Sequence, residues 1–322
     1  MTRRRTSGGM TAARGRATTD ESLYTPADPL ISGFVTALHF NRGRSPRTCE
    51  AYARDLEMFA GFLGEGLGLT QASRTDVNRF VLELRGKRRY RANAVRRKLV
   101  ALRRFYRYLV VEGLREDDPM TGIEPPKAEK RLPVVLKEAQ VARLLRTRVA
   151  GRSDFQRLRD HAMLELLYAS GIRRAELAGL NLQDVDLERK VMRVIGKGNK
   201  ERVVFFNSAA GEAMHAYLGL RPRTADEAFF VGRYGKRLGV RHIWAIFKEI
   251  QRLSGVAVNA SPHVMRHSFA THLLENGADL MTIKEQLGHA SIASTQVYTN
   301  LSMAHVRKVY DASHPRDRQR DR

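Results

Sequence analysis

Apolar residues recur at helical spacing from about residue 28 to residue 118. The clearest case is SPRTCEAYARDLEMFAGFLGE, residues 45–65, where a set of apolar residues returns every three or four positions. Such spacing is typical of a helix with one buried face. Ser45 is a suitable N-cap, and Pro46 suits the first helical position. The predicted buried face consists of Tyr52, Leu56, Phe59 and Leu63.

Two more helices are predicted in this region, one after Thr75 and one in RANAVRRKLVALRRFYRYLVVEG, residues 91–113. The second has apolar residues at helical spacing, but residues 91–111 contain no acid. A face that only promotes solubility usually mixes both signs, so a basic face favours contact with phosphate, and the solubility alternative stays open. The candidate DNA-binding residues are Arg91, Arg96, Arg97, Lys98, Arg103, Arg104 and Arg107.

The helical pattern stops at GIEPPKAEKRLP, residues 122–133, where three prolines and several charges predict a linker. Helical spacing resumes in LKEAQVARLLRT and DFQRLRDHAMLELLYASG, and the second segment should end at Gly171. Val191–Ile195 and Arg202–Phe206 then flank a turn rich in Gly, Lys and Asn, which predicts a β-hairpin. Further helices are predicted at about 208–219, 240–253, 264–275, 279–287 and 302–311.

These patterns predict a mainly α protein with two domains. A helical domain is expected over residues 25–121 and an α+β domain with a small β-hairpin sheet over residues 134–312. Residues 1–24 are polar, Gly-rich and basic and are expected to form a disordered arm. Residues 313–322 are expected to be a C-terminal tail.

The charge of the chain indicates a polyanionic partner. Lys and Arg number 57 against 34 Asp and Glu, which gives a formal net charge of +23 over 322 residues. Nucleic acid is the commonest partner of so basic a protein, and a charge that serves only solubility is the weaker interpretation.

Composition also predicts where the protein works. The single cysteine, Cys49, cannot form an internal disulfide or a cysteine metal site, which suits a reducing cytoplasm. No run approaches the ~20 apolar residues of a membrane span, and the N-terminus lacks the apolar stretch of a signal peptide. We therefore expect a cytoplasmic, nucleoid-associated protein with no membrane partner.

Four segments of the second half carry side chains suited to phosphate chemistry. They are ASGIRRAELAGL, GKGNKERVV, SPHVMRHSFATHLLENG and LGHASIASTQVYTN. Each alone fits an ordinary surface or core residue, but together they supply guanidinium, ammonium, imidazole and phenol groups. Guanidinium groups bind phosphate oxygens, and imidazole moves protons near neutral pH. The candidates are Arg173, Lys197, His263, Arg266, His289 and Tyr298, with Glu176 beside the first arginine.

Two other kinds of site fit the sequence less well. GKGNKERVV lacks the Gly-x-x-x-x-Gly-Lys-Ser/Thr spacing of a nucleotide phosphate loop. His263, His267 and His272 could ligate zinc, but no carboxylate lies between the first and the last of them. Because no acidic cluster suits Mg²⁺ either, we expect a metal-free phosphoryl transfer with a protein nucleophile and assign no metal ligand or cofactor.

The combined segments LLYASGIRRAELAGL, GKGNKERVV, HVMRHSFATHLLENG and LGHASIASTQVYT resemble the four signature boxes of the tyrosine recombinase, or phage integrase, family. The resemblance covers about residues 28–315. Within the family the chain looks most like the Xer recombinases, because RLPVVLKEAQVARLL resembles their interdomain entry and VYDASHPR is similar to the XerC branch. Met265 stands where the family more often has another aliphatic residue. The resemblance implies a SAM-like N-terminal DNA-binding domain and a recombinase catalytic domain.

The resemblance implies a role for each candidate. Tyr298 would attack a DNA phosphate to give a 3′-phosphotyrosyl link and a free 5′-hydroxyl, without ATP. Lys197 resembles the general acid and His263 the proton acceptor. The remaining roles are a phosphate clamp of Arg173 and Arg266, a further phosphate donor in His289, and an orienting carboxylate in Glu176.

The resemblance also implies partners. These are double-stranded DNA with a short inverted repeat, a homo- or heterotetramer with a second Xer recombinase, and a septal DNA translocase. In the family the C-terminal helix docks onto a neighbouring protomer, and Met303–Tyr310 would do so here through Val306 with Val309 or Tyr310. The expected task is resolution of chromosome dimers at a dif-like site. An integrase of a mobile element and a catalytically silent DNA-binding protein are the alternatives.

Overall fold

The computed structural model describes residues 24–41, 43–128, 134–196, 200–224, 226–288 and 300–318. These residues form two separate units, one on each side of the gap at 129–133. Apart from Tyr24, the predicted N-terminal arm lies outside the described residues. None of the described helices is long and apolar enough to span a membrane.

The described N-terminal unit is helical, and its helices begin where the sequence favours a helix start. Asp28, Ser45 and Ser73 each accept a hydrogen bond from a backbone N–H of the first turn, which satisfies donors that the helix leaves free. Pro29 and Pro46 occupy first helical positions. The helices are α1 (Pro29–Phe40), α2 (Pro46–Leu63), α3 (Arg74–Arg85) and α4 (Ala92–Val111).

The apolar faces of these helices meet in one core. Leu56 and Phe59 are fully buried, as their spacing predicts. The Phe59 ring lies 5.0 Å from the ring of Phe80 and 6.4 Å from that of Tyr106, between centroids. The Tyr106 hydroxyl donates to the carbonyl oxygen of Leu69 at 3.0 Å, so this buried polar group is satisfied.

The C-terminal unit surrounds one central helix, α6, whose second half is buried throughout. Gly171 ends α6 in the left-handed conformation, with φ +61°, as predicted. The described helices of this unit are α5 (Glu138–Arg146), α6 (Asp154–Ser170), α7 (Arg174–Gly179), α8 (Ser208–Leu220), α9 (Val240–Leu253), α10 (Pro262–Glu275), α11 (Leu280–Leu287), α12 (Asn300–Ser313) and α13 (Pro315–Arg318).

A small antiparallel sheet completes the unit. Its strands are β1 (Val185–Asp186), β2 (Val191–Ile195) and β3 (Glu201–Phe205), in the order β1-β2-β3. Met192 pairs with Val204 across the hairpin, and both are buried. The predicted hairpin and the mainly α, two-domain fold class are thus confirmed, while the sequence missed α7, α13 and β1, which are too short to show a period.

The C-terminal helix packs on its own unit. Val306 and Tyr310 are buried in the core, and the Tyr310 hydroxyl donates to the carbonyl oxygen of Ala169 in α6 at 2.7 Å. In this structure the apolar face expected to dock onto a neighbouring protomer packs within its own chain. His314, which the sequence placed in the tail, is fully buried as well.

Candidate active site

Arg266 joins the two helix ends around the site. From α10 its Nη1 donates to the carbonyl oxygen of Gly171 at 2.6 Å, and its Nη2 donates to that of Leu287 at 2.7 Å. The residue is 7 % exposed. Burial and then the charge of Arg173 lower the pKa of Arg266 to about 10, and the carboxylate of Glu176 acts in the opposite direction. The guanidinium therefore stays charged at neutral pH and keeps further N–H donors for an anion.

The carbonyl oxygen of Gly171 reaches this position because the residue has no side chain to clash with its neighbours. A Cβ there would lie 2.8 Å from Cε1 of Phe269 and 2.9 Å from Cδ2 of Leu287. The glycine conformation and the tight packing therefore place the carbonyl oxygen next to Arg266.

Arg173 and Glu176 form the second part of the site, at the start of α7. The Glu176 carboxylate accepts from the Arg173 backbone N–H and from Arg173 Nη1, both at 2.8 Å. Arg173 Nη2 lies 3.5 Å from the carbonyl oxygen of Gly288. Arg173 and Arg266 thus converge on the turn at Leu287 and Gly288, which directly precedes His289 in the chain.

Glu176 has a second arginine partner that the sequence did not suggest. Arg202 on β3 donates to both carboxylate oxygens of Glu176, at 2.8 and 3.0 Å. Burial acts to raise the pKa of Glu176, but the hydrogen bonds from Arg202 and from the backbone of Arg173 outweigh it, so the pKa is lowered. The available signal was strand alternation, because Arg202 shares the inward face of β3 with buried Val204.

Gln286 fixes the sheet to the end of α11. Its side chain donates to the carbonyl oxygen of Phe205 at 2.7 Å and accepts from the Phe205 N–H at 3.2 Å. The amide is 2 % exposed. The hairpin base and the turn at Gly288 are therefore held together by buried, directional bonds.

The other predicted catalytic residues are placed differently. Lys197, His289 and Tyr298 lie outside the described residues. His263 lies exposed in the first turn of α10, three positions before Arg266. The structure thus brings together Arg173, Glu176 and Arg266 and leaves His263 open to solvent one helical turn away.

The alternative zinc site finds no support in the described part of the chain, where no three His, Cys, Asp or Glu side chains are grouped to hold a metal. His272 is 3 % exposed, and its Nδ1 is 2.9 Å from the Tyr168 hydroxyl. Its ring is part of the core between α6 and α10.

The basic helix α4 is less uniform than its sequence indicates. Lys98 is 3 % exposed and donates to Asp55 at 2.7 Å, so this ammonium lies within the core and is removed from the phosphate-contacting candidates. Arg96 and Arg103 donate to the carbonyl oxygens of Pro126 and Ile123 at 2.9 and 2.7 Å. Arg91, Arg97 and Arg107 are exposed, and Arg104 lies over the ring of Tyr52.

Comparison with known proteins agrees with these two units. Residues 134–305 match the phage integrase family, and residues 31–113 match the phage integrase N-terminal SAM-like domain. Tyrosine recombinase XerC of Pseudomonas syringae pv. syringae (strain B728a) is 41% identical over 293 residues, covering 90% of this chain and 97% of the relative. Tyrosine recombinase XerD of Listeria monocytogenes serotype 4b (strain F2365) is 38% identical over 296 residues, covering 89% and 99%.

A solved structure shares the fold. The XerH site-specific recombinase bound to its difH substrate, in a pre-cleavage complex, has a TM-score of 0.63 and 19% identity. The similarity covers 87% of this chain and 84% of that one. At this identity the similarity shows the fold alone.

The chain belongs to the tyrosine recombinases of the phage integrase family. These are enzymes that cleave and rejoin DNA strands in site-specific recombination. Within the family, the chain is similar to Xer recombinases, both to proteins named XerC and to proteins named XerD.

Proposed function

We propose that this protein is an Xer recombinase of the XerC type, which resolves chromosome dimers at a dif-like site during cell division. The catalytic role is supported by one observation: Arg173 and Arg266 both contact the turn at Leu287 and Gly288. Two guanidinium groups on one turn form a site for a phosphate group. The ending VYDASHPR and the XerC relatives support the narrower assignment.

In this proposal Tyr298 attacks the scissile phosphate, its oxygen bonds to phosphorus, and the bond to the 5′-oxygen breaks. The phenol has a pKa of about 10 in water, so it loses its proton as it attacks, with His263 as the acceptor. Lys197 protonates the departing 5′-oxygen. A 5′-hydroxyl from the partner strand then attacks the phosphotyrosine and restores the phenol, so no net hydrolysis occurs and no cofactor is needed.

Arg173 and Arg266 act on the nonbridging oxygens, with His289 as a further donor. Both guanidinium groups are held by protein carbonyls or a carboxylate before DNA binds. Such preorganised donors stabilise the charge that develops in the transition state without rearranging. Glu176 orients Arg173 through its hydrogen bonds, and the lowered pKa of its carboxyl keeps it ionised at neutral pH.

The DNA is double-stranded with a short inverted repeat, and the N-terminal unit contributes phosphate contacts through α4. Arg91, Arg104 and Arg107 are the contacts that we retain in full. Arg97 is a secondary candidate, because its guanidinium also pairs with the buried Asp55 carboxylate at 2.7 Å. Arg96 and Arg103 are secondary candidates, since they also hold residues 123–126. Phosphate contacts of this kind position the protein and make its affinity depend on salt.

The assembly is proposed to be a tetramer on two DNA sites, with a second Xer recombinase or with copies of this chain, supported by a septal DNA translocase. It works on the nucleoid in the cytoplasm. The XerH structure, which shares this fold, is bound to its difH substrate. The XerC and XerD relatives support a partner of the same family.

Trapping of the covalent intermediate tests the proposal. A DNA duplex with the dif-like repeat from the same genome, nicked next to the cleavage position, loses its short fragment on cleavage and leaves protein attached to the 3′ end. The wild-type protein is expected to form this product and Tyr298→Phe to form none. Equal covalent product from both proteins would remove Tyr298 as the nucleophile.

The choice of DNA separates the proposal from its alternatives. An integrase of a mobile element would recombine the ends of that element and leave the dif-like duplex intact. A catalytically silent DNA-binding protein would bind the duplex and yield no covalent product. Recombination of two dif-like sites by the purified protein with its Xer partner supports chromosome dimer resolution.

A further inference from the structure

We propose that Arg202 is a positioning residue of the recombination site, which orients Arg173 through Glu176 and holds the hairpin base against the turn at Gly288. The inference rests on the proposed function, because it assigns a residue to the same site. Arg202 lies outside the six catalytic candidates, and its guanidinium faces protein groups.

The contacts of Arg202 define this role. Nη1 and Nη2 donate to the two oxygens of Glu176 at 2.8 and 3.0 Å, and Nε donates to the carbonyl oxygen of Gln286 at 3.3 Å. Each nitrogen of the guanidinium therefore has a protein partner. The side chains of Arg202 and Glu176 are 14 and 3 % exposed, so the pair is largely shielded from water and its two parallel bonds fix the orientation of both planes.

Two glycines show how closely Arg202 fits between the turns. A Cβ on Gly288 would lie 2.7 Å from Cδ and 2.8 Å from Nε of Arg202. A Cβ on Gly196 would lie 3.4 Å from Nη1 of Arg202 and 3.6 Å from Oε1 of Glu176. These glycines directly precede His289 and Lys197 in the sequence. Arg202 thus sets the separation of the two backbones from which the histidine and lysine segments begin.

The charges explain why Arg173 depends on Arg202. Glu176 accepts from Arg173 Nη1 and from Arg202 Nη1 with the same oxygen, at 2.8 Å each. If Arg202 were removed, Arg173 would be the one arginine of this pair still bonded to the buried Glu176 carboxylate. Arg173 would be drawn toward Glu176 and away from Gly288, because an uncompensated buried charge is costly.

Two substitutions of Arg202 test the inference. Arg202→Gln removes the charge, whereas Arg202→Lys keeps the charge but cannot make the paired bonds. The matched control is Arg193→Gln on the neighbouring strand β2, where the arginine is 46 % exposed and pairs with Asp184 at 3.1 Å. DNA affinity by fluorescence anisotropy and the single-turnover rate of covalent product on the nicked dif-like duplex are measured for all proteins, together with thermal unfolding.

The expected result is a split between binding and cleavage. Arg202→Gln should bind the duplex with nearly wild-type affinity and cleave it on the order of 10²-fold more slowly, because a displacement of about 1 Å at the reacting groups is enough for such a loss. Arg202→Lys should recover about tenfold of that rate, since it keeps the charge beside Glu176. Arg193→Gln should match the wild type in both measurements.

The other outcomes overturn the inference. Cleavage by Arg202→Gln at the wild-type rate would show that Arg202 positions nothing. Equal loss of binding and cleavage in both variants would show that the residue only stabilises the fold. If Arg202→Gln does not fold, Arg202→Lys provides the test. Slow cleavage with normal binding by Arg202→Lys supports the inference, and cleavage at the wild-type rate overturns it. No covalent product from the wild type would refute the proposed function itself, and the role of Arg202 with it.

Discussion

Arg266 donates from Nη1 to the carbonyl oxygen of Gly171 at 2.6 Å across 95 positions of sequence. The bond joins the helix that carries the histidine box to the end of the central helix, just before Arg173. Arg266, which is proposed to bind phosphate, thus also links the segment that contains His263 to the segment that contains Arg173.

Gly171→Ala is expected to destabilise the C-terminal unit by about 3 kcal/mol. The alanine backbone would have to keep the left-handed conformation of Gly171, which is unfavourable for a residue with a side chain. Its methyl group would also enter a space already filled by Phe269 and Leu287. Urea unfolding followed by the fluorescence of Trp244, the single tryptophan, measures this unit. Gly179→Ala is the control, because a Cβ there meets nothing within 4 Å, and it should stay within about 0.5 kcal/mol of wild type. Equal stability of the two variants would contradict the packing at Gly171.

Arg266→Ala is expected to slow covalent trapping on the nicked duplex by on the order of 10²–10³-fold, because it removes a preorganised donor to the phosphate. Affinity for the duplex should change little, since many exposed cations contribute to binding. Arg189→Ala, whose side chain is 84 % exposed, is the control and should keep wild-type rates. Trp244 fluorescence shows whether the variant is folded. Wild-type cleavage by a folded Arg266→Ala protein would exclude Arg266 from the mechanism.

Asp55→Ala is expected to destabilise the N-terminal unit by about 3–4 kcal/mol, because it leaves the buried ammonium of Lys98 without its carboxylate. Glu50→Ala on the same helix should cost less than about 1 kcal/mol, since Glu50 pairs with Arg54 on the surface. Thermal unfolding by circular dichroism measures both variants, while Trp244 reports the other unit. A cost for Asp55→Ala as small as that for Glu50→Ala would show that Lys98 reaches solvent.

The protein is expected to lose folding stability in acid, because His314 is buried in its neutral form. Burial holds the pKa of His314 at about 3, whereas the unfolded value is near 6.5. Because the folded pKa is depressed, the stabilising contribution is complete above pH 6.5 and is lost as the pH falls toward 3. At pH 4 the loss should be on the order of 3 kcal/mol.

His314→Gln tests this assignment. The variant should be less stable at pH 7, because Asn207 loses its contact with Nδ1 at 3.1 Å. Its free energy of unfolding should nevertheless change less between pH 7 and pH 4 than that of the wild type, as followed by Trp244 fluorescence in urea. His215→Gln, at an exposed position, serves as the control. A pH dependence identical to that of the wild type would assign the acid sensitivity to other groups.

Local signals predicted much of the secondary structure. Ser45 and Pro46 start α2, and Gly171 ends α6, as predicted. These signals act through the backbone of a few neighbouring residues, so the sequence carries them without knowledge of the fold. The hairpin was predicted nearly to the residue, with β3 one position earlier than expected.

What the sequence by itself determined is therefore most of the longer helices and strands, the two-domain fold class, the family and the list of candidate groups. The tertiary structure decided which charges are buried. The sequence pattern placed Lys98 on a basic face, but its partner Asp55 lies 43 positions away. Arg202 went unnoticed because its partners are Glu176, 26 positions before it, and Gln286, 84 positions after it. The free energy of a charged side chain depends on the groups around it in space, and helical or strand periodicity does not identify those groups.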